Sequence, residues 1–311
     1  MKVHYGLDQF DAQKPVLTIG TFDGVHMGHN EVLSELKRLS IASGGESVVF
    51  TFYPHPRMVV APAEDSLRLL TTKEEKISRF EKMGIDHLVF YPFTPEFSQL
   101  SYDRFVREIL VGKMKISCLV VGYDHKFGHE RKGDFEALYR LSQELDFEVE
   151  KLDKLLVENI AVSSTRIRTA LDTGNVKLAN EFLGYAFTLT GKVIEGNQLG
   201  RKLGFPTANI ETLDHHKLIP GDGVYAVTVK VGHNQYGGML NVGTRPTVNY
   251  NADHRSIEVH IFDFADDIYH REITIAFIDI IRDEQRFPDI ETLRQQLVKD
   301  KIKSLELLAK R

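Results

Sequence analysis

The stretch PVLTIGTFDGVHMGHNEVL, Pro15 to Leu33, decides how the first half of the chain reads. PVLTIG is an apolar run of strand length that ends in glycine, and a helical pattern begins after His26. Gly20, Gly24 and Gly28 frame this strand-to-helix turn, and His26 and His29 stand three residues apart at the helix start. Glycines let backbone N–H groups approach an anion, a helix N-terminus adds partial positive charge, and two imidazoles on one helical face can donate to phosphate oxygens. The pair could also belong to a metal site, for which further ligands are not evident nearby, or be two surface histidines. The glycine framing after a strand favours phosphate.

Outward from this unit, SVVFTF (Ser47 to Phe52), HLVFYPF (His87 to Phe93) and SCLVVG (Ser117 to Gly122) read as further buried strands. Helix candidates lie between them near Lys73 to Met83 and Tyr102 to Leu110, with another at Asp134 to Leu145. Strands separated by helices predict a mostly parallel α/β sheet. Around Ser163 the text changes to TRIRTALDTGNVKLANEFLGYAF, two short helical pieces broken at Thr173-Gly174-Asn175, and this reads as the seam between domains. From Phe187 onward the runs FTLTGKVIEG, GVYAVTVKVG, YGGMLNVG, SIEVHIFDF and REITIAFIDIIR are short, β-branched and punctuated by glycine, as in an antiparallel barrel or sandwich. The closing segment places Ile290, Leu293, Leu297, Ile302, Leu305 and Leu308 at helical spacing, which predicts a terminal helix docked on the barrel.

A chain of 311 residues suits two domains, and 42% hydrophobic with 27% charged residues is ordinary for a globular protein. The N-terminus lacks the apolar core of a signal peptide and no apolar run approaches the roughly 20 residues of a membrane span, so a cytoplasmic protein is expected. The single cysteine, Cys118, lies in an apolar run and reads as a buried, inert thiol. A net charge of −5 without a long basic block argues against a nucleic-acid surface and leaves small anionic ligands open. A P-loop is unsupported, because Gly112-Lys113 and Gly191-Lys192 are followed by Met114 and Val193 where Ser or Thr is needed.

A second constellation, GKVIEGNQLGRKLGFPTANI (Gly191 to Ile210), joins glycines with Lys192, Arg201 and Lys202 and with a rigid Phe-Pro-Thr-Ala-Asn turn. Thr207 and Asn209 alternate along an extended chain, so both could offer hard oxygen ligands to Mg²⁺ on one face. Taken alone, such a segment is far more often a plain loop. Alternation in SIEVHIF likewise puts Glu258 and His260 on one face, where a solvated glutamate is the plain reading.

The motifs together resemble a known family. GTFDGVHMGH is similar to the His-x-Gly-His signature of the nucleotidyltransferases in the extended form of bacterial FAD synthetases, and VSSTRIR (Val162 to Arg168) resembles that family's triphosphate-binding segment. The resemblance implies phosphate roles for Gly20, Phe22, Asp23, Gly24, Gly28, Ser163, Ser164 and Thr165, with His26, His29 and Arg168 assisting attack on the α-phosphate. FYPHP and VGYDHKFG resemble stretches that line the flavin and nucleotide pocket, which implies Phe52, Pro54, His55, Pro56, Asp124 and Phe127. His125 stands where many members carry Phe.

GRKLGFPTAN is similar to the signature of riboflavin kinases, and GVYAV, NVGTRPTV, EVHIFDF and IRDEQRF follow in that family's order. The resemblance implies Mg²⁺ held by Thr207 and Asn209, ATP contacts from Gly191, Lys192, Arg201 and Gly204, flavin contacts from Arg282 and Glu284, and Glu258 as the general base. His270 replaces the family's glycine. The chain is thus identified as resembling bifunctional bacterial riboflavin kinase/FAD synthetases. This implies a Rossmann-like nucleotidyltransferase domain over 1–184 and a six-stranded β-barrel kinase domain over 185–311. ATP, riboflavin, FMN and FAD are the expected small molecules, with Mg²⁺ accompanying ATP and no tightly bound prosthetic group, nucleic acid or membrane partner. A homo-oligomer stays open. The alternatives are a descendant with only one activity, or a flavin-binding regulatory protein without turnover.

Overall fold

The computed structural model describes residues 1–61, 67–123, 126–153, 156–157, 160–196, 199–244 and 255–310. They form two compact units, Met1–Ser163 and Ser164–Arg311.

In the first unit six parallel strands run β1 (Lys2–Tyr5), β2 (Val16–Ile19), β3 (Ser47–Tyr53), β4 (His87–Pro92), β5 (Cys118–Val121) and β6 (Glu148–Lys151). Their order in the sheet is β1-β4-β3-β2-β5-β6. The apolar runs are near-continuous because the central strands are covered on both faces. Leu17, Ile19, Val48, Phe50 and Leu119 pack into one cluster, and Val16, Val49, Leu88 and Val120 into another. Cys118 is buried among the second set, which pushes its thiol up to about 12 and makes it inert. The helix Met27–Ser43 follows β2 and stops at Gly44 in the left-handed conformation. The stretch expected as one helix from Tyr102 makes a single α-turn, Tyr102–Arg104, then widens into a π-helical segment, Phe105–Val111. Two short antiparallel strands, β7 (Leu156–Val157) and β8 (Ile160–Ala161), complete this unit.

The second unit opens with the helices Ser164–Asp172 and Val176–Leu183 and continues as a closed antiparallel barrel. Its strands are β9 (Thr188–Ile194), β10 (Ala208–Thr212), β11 (Gly223–Val231), β12 (Asn234–Thr244), β13 (Arg255–Ile261) and β14 (Glu272–Arg282), closed in the order β10-β13-β12-β11-β14-β9. The helix pair groups with the barrel for a local reason. Asn180 donates to the Phe277 carbonyl at 2.9 Å and accepts from the Phe187 N–H at 2.7 Å, beside buried Ala179, Phe182 and Leu183.

The terminal helix, Ile290–Ala309, docks on the barrel by half of the expected apolar stripe. Ile290, Ile302 and Leu305 are exposed, while Leu293, Leu297 and Leu308 pack with Phe205, Met239 and Phe262. The remaining contacts are polar: Ser304 donates to the Gly238 carbonyl at 2.9 Å, and buried Asp300 receives Arg282 at 2.9–3.1 Å. Hydrophobic spacing alone cannot show a seam whose centre is an ion pair.

Candidate active sites

In the parallel sheet β2 lies between β3 and β5, so its outgoing loop sits at the reversal of strand order, where open α/β sheets bind ligands. That loop is Gly20 to His26. Asp23 is buried and accepts from the N–H groups of Leu70 and Thr71 at 3.0 and 3.1 Å and from the Thr71 hydroxyl at 3.3 Å. Thr71 in turn accepts from the Gly24 N–H at 3.0 Å. The ammonium of Lys76, buried on the helix Lys73–Lys82, donates to the Thr21 carbonyl at 2.7 Å. These anchors hold Phe22 and Val25 at φ +46° and +38°, conformations unfavourable for side chains of their size, with Gly24 at +91° between them. Asp23, expected at phosphate, thus has its carboxylate turned into the loop's own support. Gly20 admits the Phe22 ring, which would lie 3.1 Å from an added Cβ.

His26 and His29 form a reciprocal cap at the start of the helix Met27–Ser43. The His29 N–H donates to His26 Nδ1 and the His26 N–H to His29 Nδ1, each at 3.3 Å, and the rings stack with centroids 3.6 Å apart. Because both Nδ1 atoms accept, the network assigns each neutral ring its proton on Nε2. Burial, then the neighbouring His26 and Lys76, hold the His29 pKa well below the ordinary histidine value. Gly28 leaves room for this stack, since a Cβ there would meet the His26 ring at 3.3 Å. The pair therefore presents two neutral N–H donors at the N-terminus of a helix.

Phe52 is half-buried at the end of β3, edge-on to Phe93 at 5.4 Å and near Phe97. Pro54 is exposed and Pro56 opens the short helix Pro56–Val60, which His55 caps by accepting from the Arg57 N–H at 3.2 Å. Phe127 is drawn into the core, paired through its backbone with Gly133 and packed near Tyr102 and Phe105. Asp124 and His125 lie outside the described residues. Ser163 ends the first unit. Ser164, Thr165 and Arg168 belong to the second, on the helix Ser164–Asp172, with Thr165 exposed and Arg168 half-buried.

In the barrel, pairing brings distant residues into one row. Glu258 on β13 lies opposite Asn209 on β10 and Asn241 on β12, so all three side chains share a face. Thr207 joins them, its hydroxyl donating to Glu258 at 3.4 Å. Gly196 makes room for this row: a Cβ there would fall 1.9 Å from the Asn209 amide nitrogen. His260, two residues along from Glu258, is buried and donates from Nδ1 to the Pro206 carbonyl at 2.8 Å, which fixes the turn that carries Thr207. Beside Thr207 opens a cavity of about 390 Å³ lined by Val193, Arg201, Ile261, Phe264 and Tyr269.

Among the other expected contact residues of the barrel, Gly191 is buried where a Cβ would collide with Ile210 and the Glu211 carbonyl, and the exposed Lys192 follows it on β9. Gly204 takes φ +82° in the turn after Arg201. Arg282 commits its guanidinium to Asp300 and the Asp283 carbonyl. Glu284 lies against the backbone of Gly243, two residues along β12 from Asn241. His270 keeps a left-handed φ of +64°, so the turn survives the loss of the family's glycine. Thr71, Lys76, Asn241 and His260 were not legible as site residues. Their partners lie tens of residues away, and only Lys76, on one helical face with buried Phe80, left a sequence signal.

The FAD synthetase family model matches residues 8–166 and the riboflavin kinase family model residues 183–308. The chain is 35% identical over 303 residues to the bifunctional riboflavin kinase/FMN adenylyltransferase of Escherichia coli (strain K12), covering 97% of this chain and 95% of that one. It is 36% identical over 291 residues to the protein of the same name from Bacillus subtilis (strain 168), covering 93% and 90%. A solved structure described as a macrolide-efflux protein from Streptococcus pneumoniae superposes with a TM-score of 0.88 at 30% identity, covering 96% and 97%. That description belongs to the Streptococcus protein. Among the described residues of this chain no helix is long and apolar enough to cross a membrane.

Proposed function

The chain belongs to the bifunctional riboflavin kinase/FMN adenylyltransferase family, making FMN from riboflavin and FAD from FMN with ATP, and we propose how its residues divide that work. The row of Asn209, Glu258 and Asn241 with Thr207 carries the kinase assignment. Glu258 takes the proton of the ribityl 5′-hydroxyl as that oxygen attacks the γ-phosphorus in line; the bond to the bridging oxygen breaks and ADP leaves. The donor set of Thr207 and Asn209 consists of hard oxygens beside a carboxylate, which suits Mg²⁺. Bound there with ATP, the ion would neutralise phosphate charge. The cavity beside Thr207 suits the nucleotide, with Arg201 in its lining, and Gly191, Lys192 and Gly204 are proposed as further ATP contacts. Glu284 and Arg282 border the riboflavin side, Arg282 by fixing the terminal helix.

For the second reaction, an FMN phosphate oxygen attacks the α-phosphorus of ATP and pyrophosphate leaves. The Nε2–H groups of His26 and His29 meet the charge that builds on the phosphate oxygens, together with the amides around Gly24 and Gly28. Ser163, Ser164, Thr165 and Arg168 hold the triphosphate, and Phe52, Pro54, His55, Pro56, Asp124 and Phe127 belong to the flavin pocket or its support. We place both reactions in the cytoplasm, where ATP is supplied. The functional boundary is proposed at 184/185.

The test is chromatographic separation of riboflavin, FMN and FAD after incubation with ATP and Mg²⁺, starting once from riboflavin and once from FMN. Glu258→Gln is expected to abolish FMN formation and leave FAD formation from FMN intact. His29→Ala is expected to do the reverse. Loss of both reactions in either variant would defeat this division of labour.

A further inference from the structure

At the start of the strands, away from the loop after β2, two buried histidines face each other across β1 and β4. His4 Nε2 and His87 Nδ1 are 2.9 Å apart, and the rings are 8% and 1% exposed. His87 turns its other nitrogen, Nε2, to the Glu46 carboxylate at 3.3 Å. A carboxylate there calls for a proton on Nε2, which leaves the His87 Nδ1 lone pair aimed at His4. The Asp11 carboxylate completes a triangle with these atoms, all of them within 4.8 Å of one another. Phe10 stands edge-on to both imidazoles, with ring centroids 5.4 and 5.9 Å away, and shields them.

We propose that His4, His87 and Asp11 form a binding site for a borderline divalent transition metal such as Zn²⁺ or Co²⁺, with Glu46 orienting His87 from behind. A tetrahedral ion with bonds of 2.0–2.1 Å to nitrogen holds two ligand nitrogens about 3.3 Å apart, so the nitrogens part by a few tenths of an ångström and each ring turns by roughly 35° to bring its lone pair off the shared N···N axis and onto the ion. The proton on His4 Nε2 moves to its Nδ1, and the His4 lone pair then converges with that of His87. Asp11 is largely exposed and held by Lys2 at 2.9 Å, so the third ligand is presented by a surface lysine that must release it. Water fills the fourth position. Imidazole donors select against Mg²⁺ and Ca²⁺, and a carboxylate on the far nitrogen of a metal-binding histidine is the usual supporting partner.

The position suggests what the ion does. β1 is a terminal strand of the sheet, paired among the described residues with β4 alone, and Asp11 lies on the segment leading from β1 to β2. The ion would pin this edge at the opposite end of the strands from the loop after β2.

Full-length protein stripped with a chelator is expected to bind one equivalent of Zn²⁺ in equilibrium dialysis, and Co²⁺ in its place should show the visible bands of a four-coordinate site. Asp11→Asn, a surface change that keeps the fold, should weaken binding by about tenfold to hundredfold, and Glu46→Gln by about tenfold. Lys2→Gln should tighten it. Both flavin reactions should be unchanged in Asp11→Asn, and Thr207→Ala should retain the equivalent. Zn²⁺ binding indifferent to Asp11→Asn, or lost in Thr207→Ala, would overturn the proposal, as would no binding at all.

Discussion

A histidine that must stay neutral inside a fold leaves its mark on stability. The pKa of His29 is held well below the ordinary 6.5 by burial first, then by His26 and Lys76. As pH falls through the unfolded value near 6.5, the unfolded chain takes up a proton that the folded ring refuses. The contribution is therefore complete above 6.5 and is lost progressively toward the depressed folded value. Urea midpoints measured from pH 7.5 to 5.5 should fall more steeply in the native protein than in His29→Gln, and parallel curves would mean that His29 titrates freely. The glycine-framed histidine pair was legible in sequence because its members are three residues apart. The support behind it was not, since Asp23 meets Leu70 and Thr71 only through the fold. For the same reason Asp23 read as a phosphate ligand when its carboxylate is a brace.

Strands and helices set how closely these groups approach. The central strands β2 to β5 were legible as apolar runs because both faces of the sheet are covered there, whereas the edge strands β1 and β6, KVHY and EVEK, carry too few apolar residues to show, and β10 was hidden inside a motif read as a rigid turn. The terminal helix was legible by position and half by face: Leu293, Leu297 and Leu308 pack as expected, but Asp300 and Ser304 occupy its buried centre. In the kinase row the decisive element is the loop just after β9, where Gly196 lies under the Asn209 amide. An alanine there has no space: its methyl would fall 1.9 Å from Nδ2, so Asn209 must swing away from Glu258. Gly196→Ala should lower kcat for FMN formation by about tenfold or more, the scale of a misplaced group at a phosphoryl-transfer site. FAD formation from FMN and the circular dichroism spectrum should stay unchanged. Unaltered FMN formation would show that Asn209 is not needed where it stands.

At the scale of the whole molecule, the order of the motifs made two modules legible, but the physical seam was harder to place. The segment after Ser163 carries a motif similar to one reaction's phosphate segment, while its apolar residues are spent on the barrel. Val176, Ala179, Phe182 and Leu183 are buried, and Asn180 bridges the Phe277 carbonyl and the Phe187 N–H. A fragment beginning at 185 would lose these side chains and leave both barrel groups without their partner. Burial of a large apolar side chain contributes about 1.5–3 kcal/mol, so loss of Phe182 and Leu183 alone should cost about 3–6 kcal/mol, a large share of a small domain's stability. Fragment 164–311 is therefore expected to unfold cooperatively in urea and to phosphorylate riboflavin, whereas fragment 185–311 should have a much lower midpoint or fail to fold. Equal midpoints would show that the helix pair adds nothing to the barrel, and would make 184/185 the thermodynamic boundary as well as the proposed functional one.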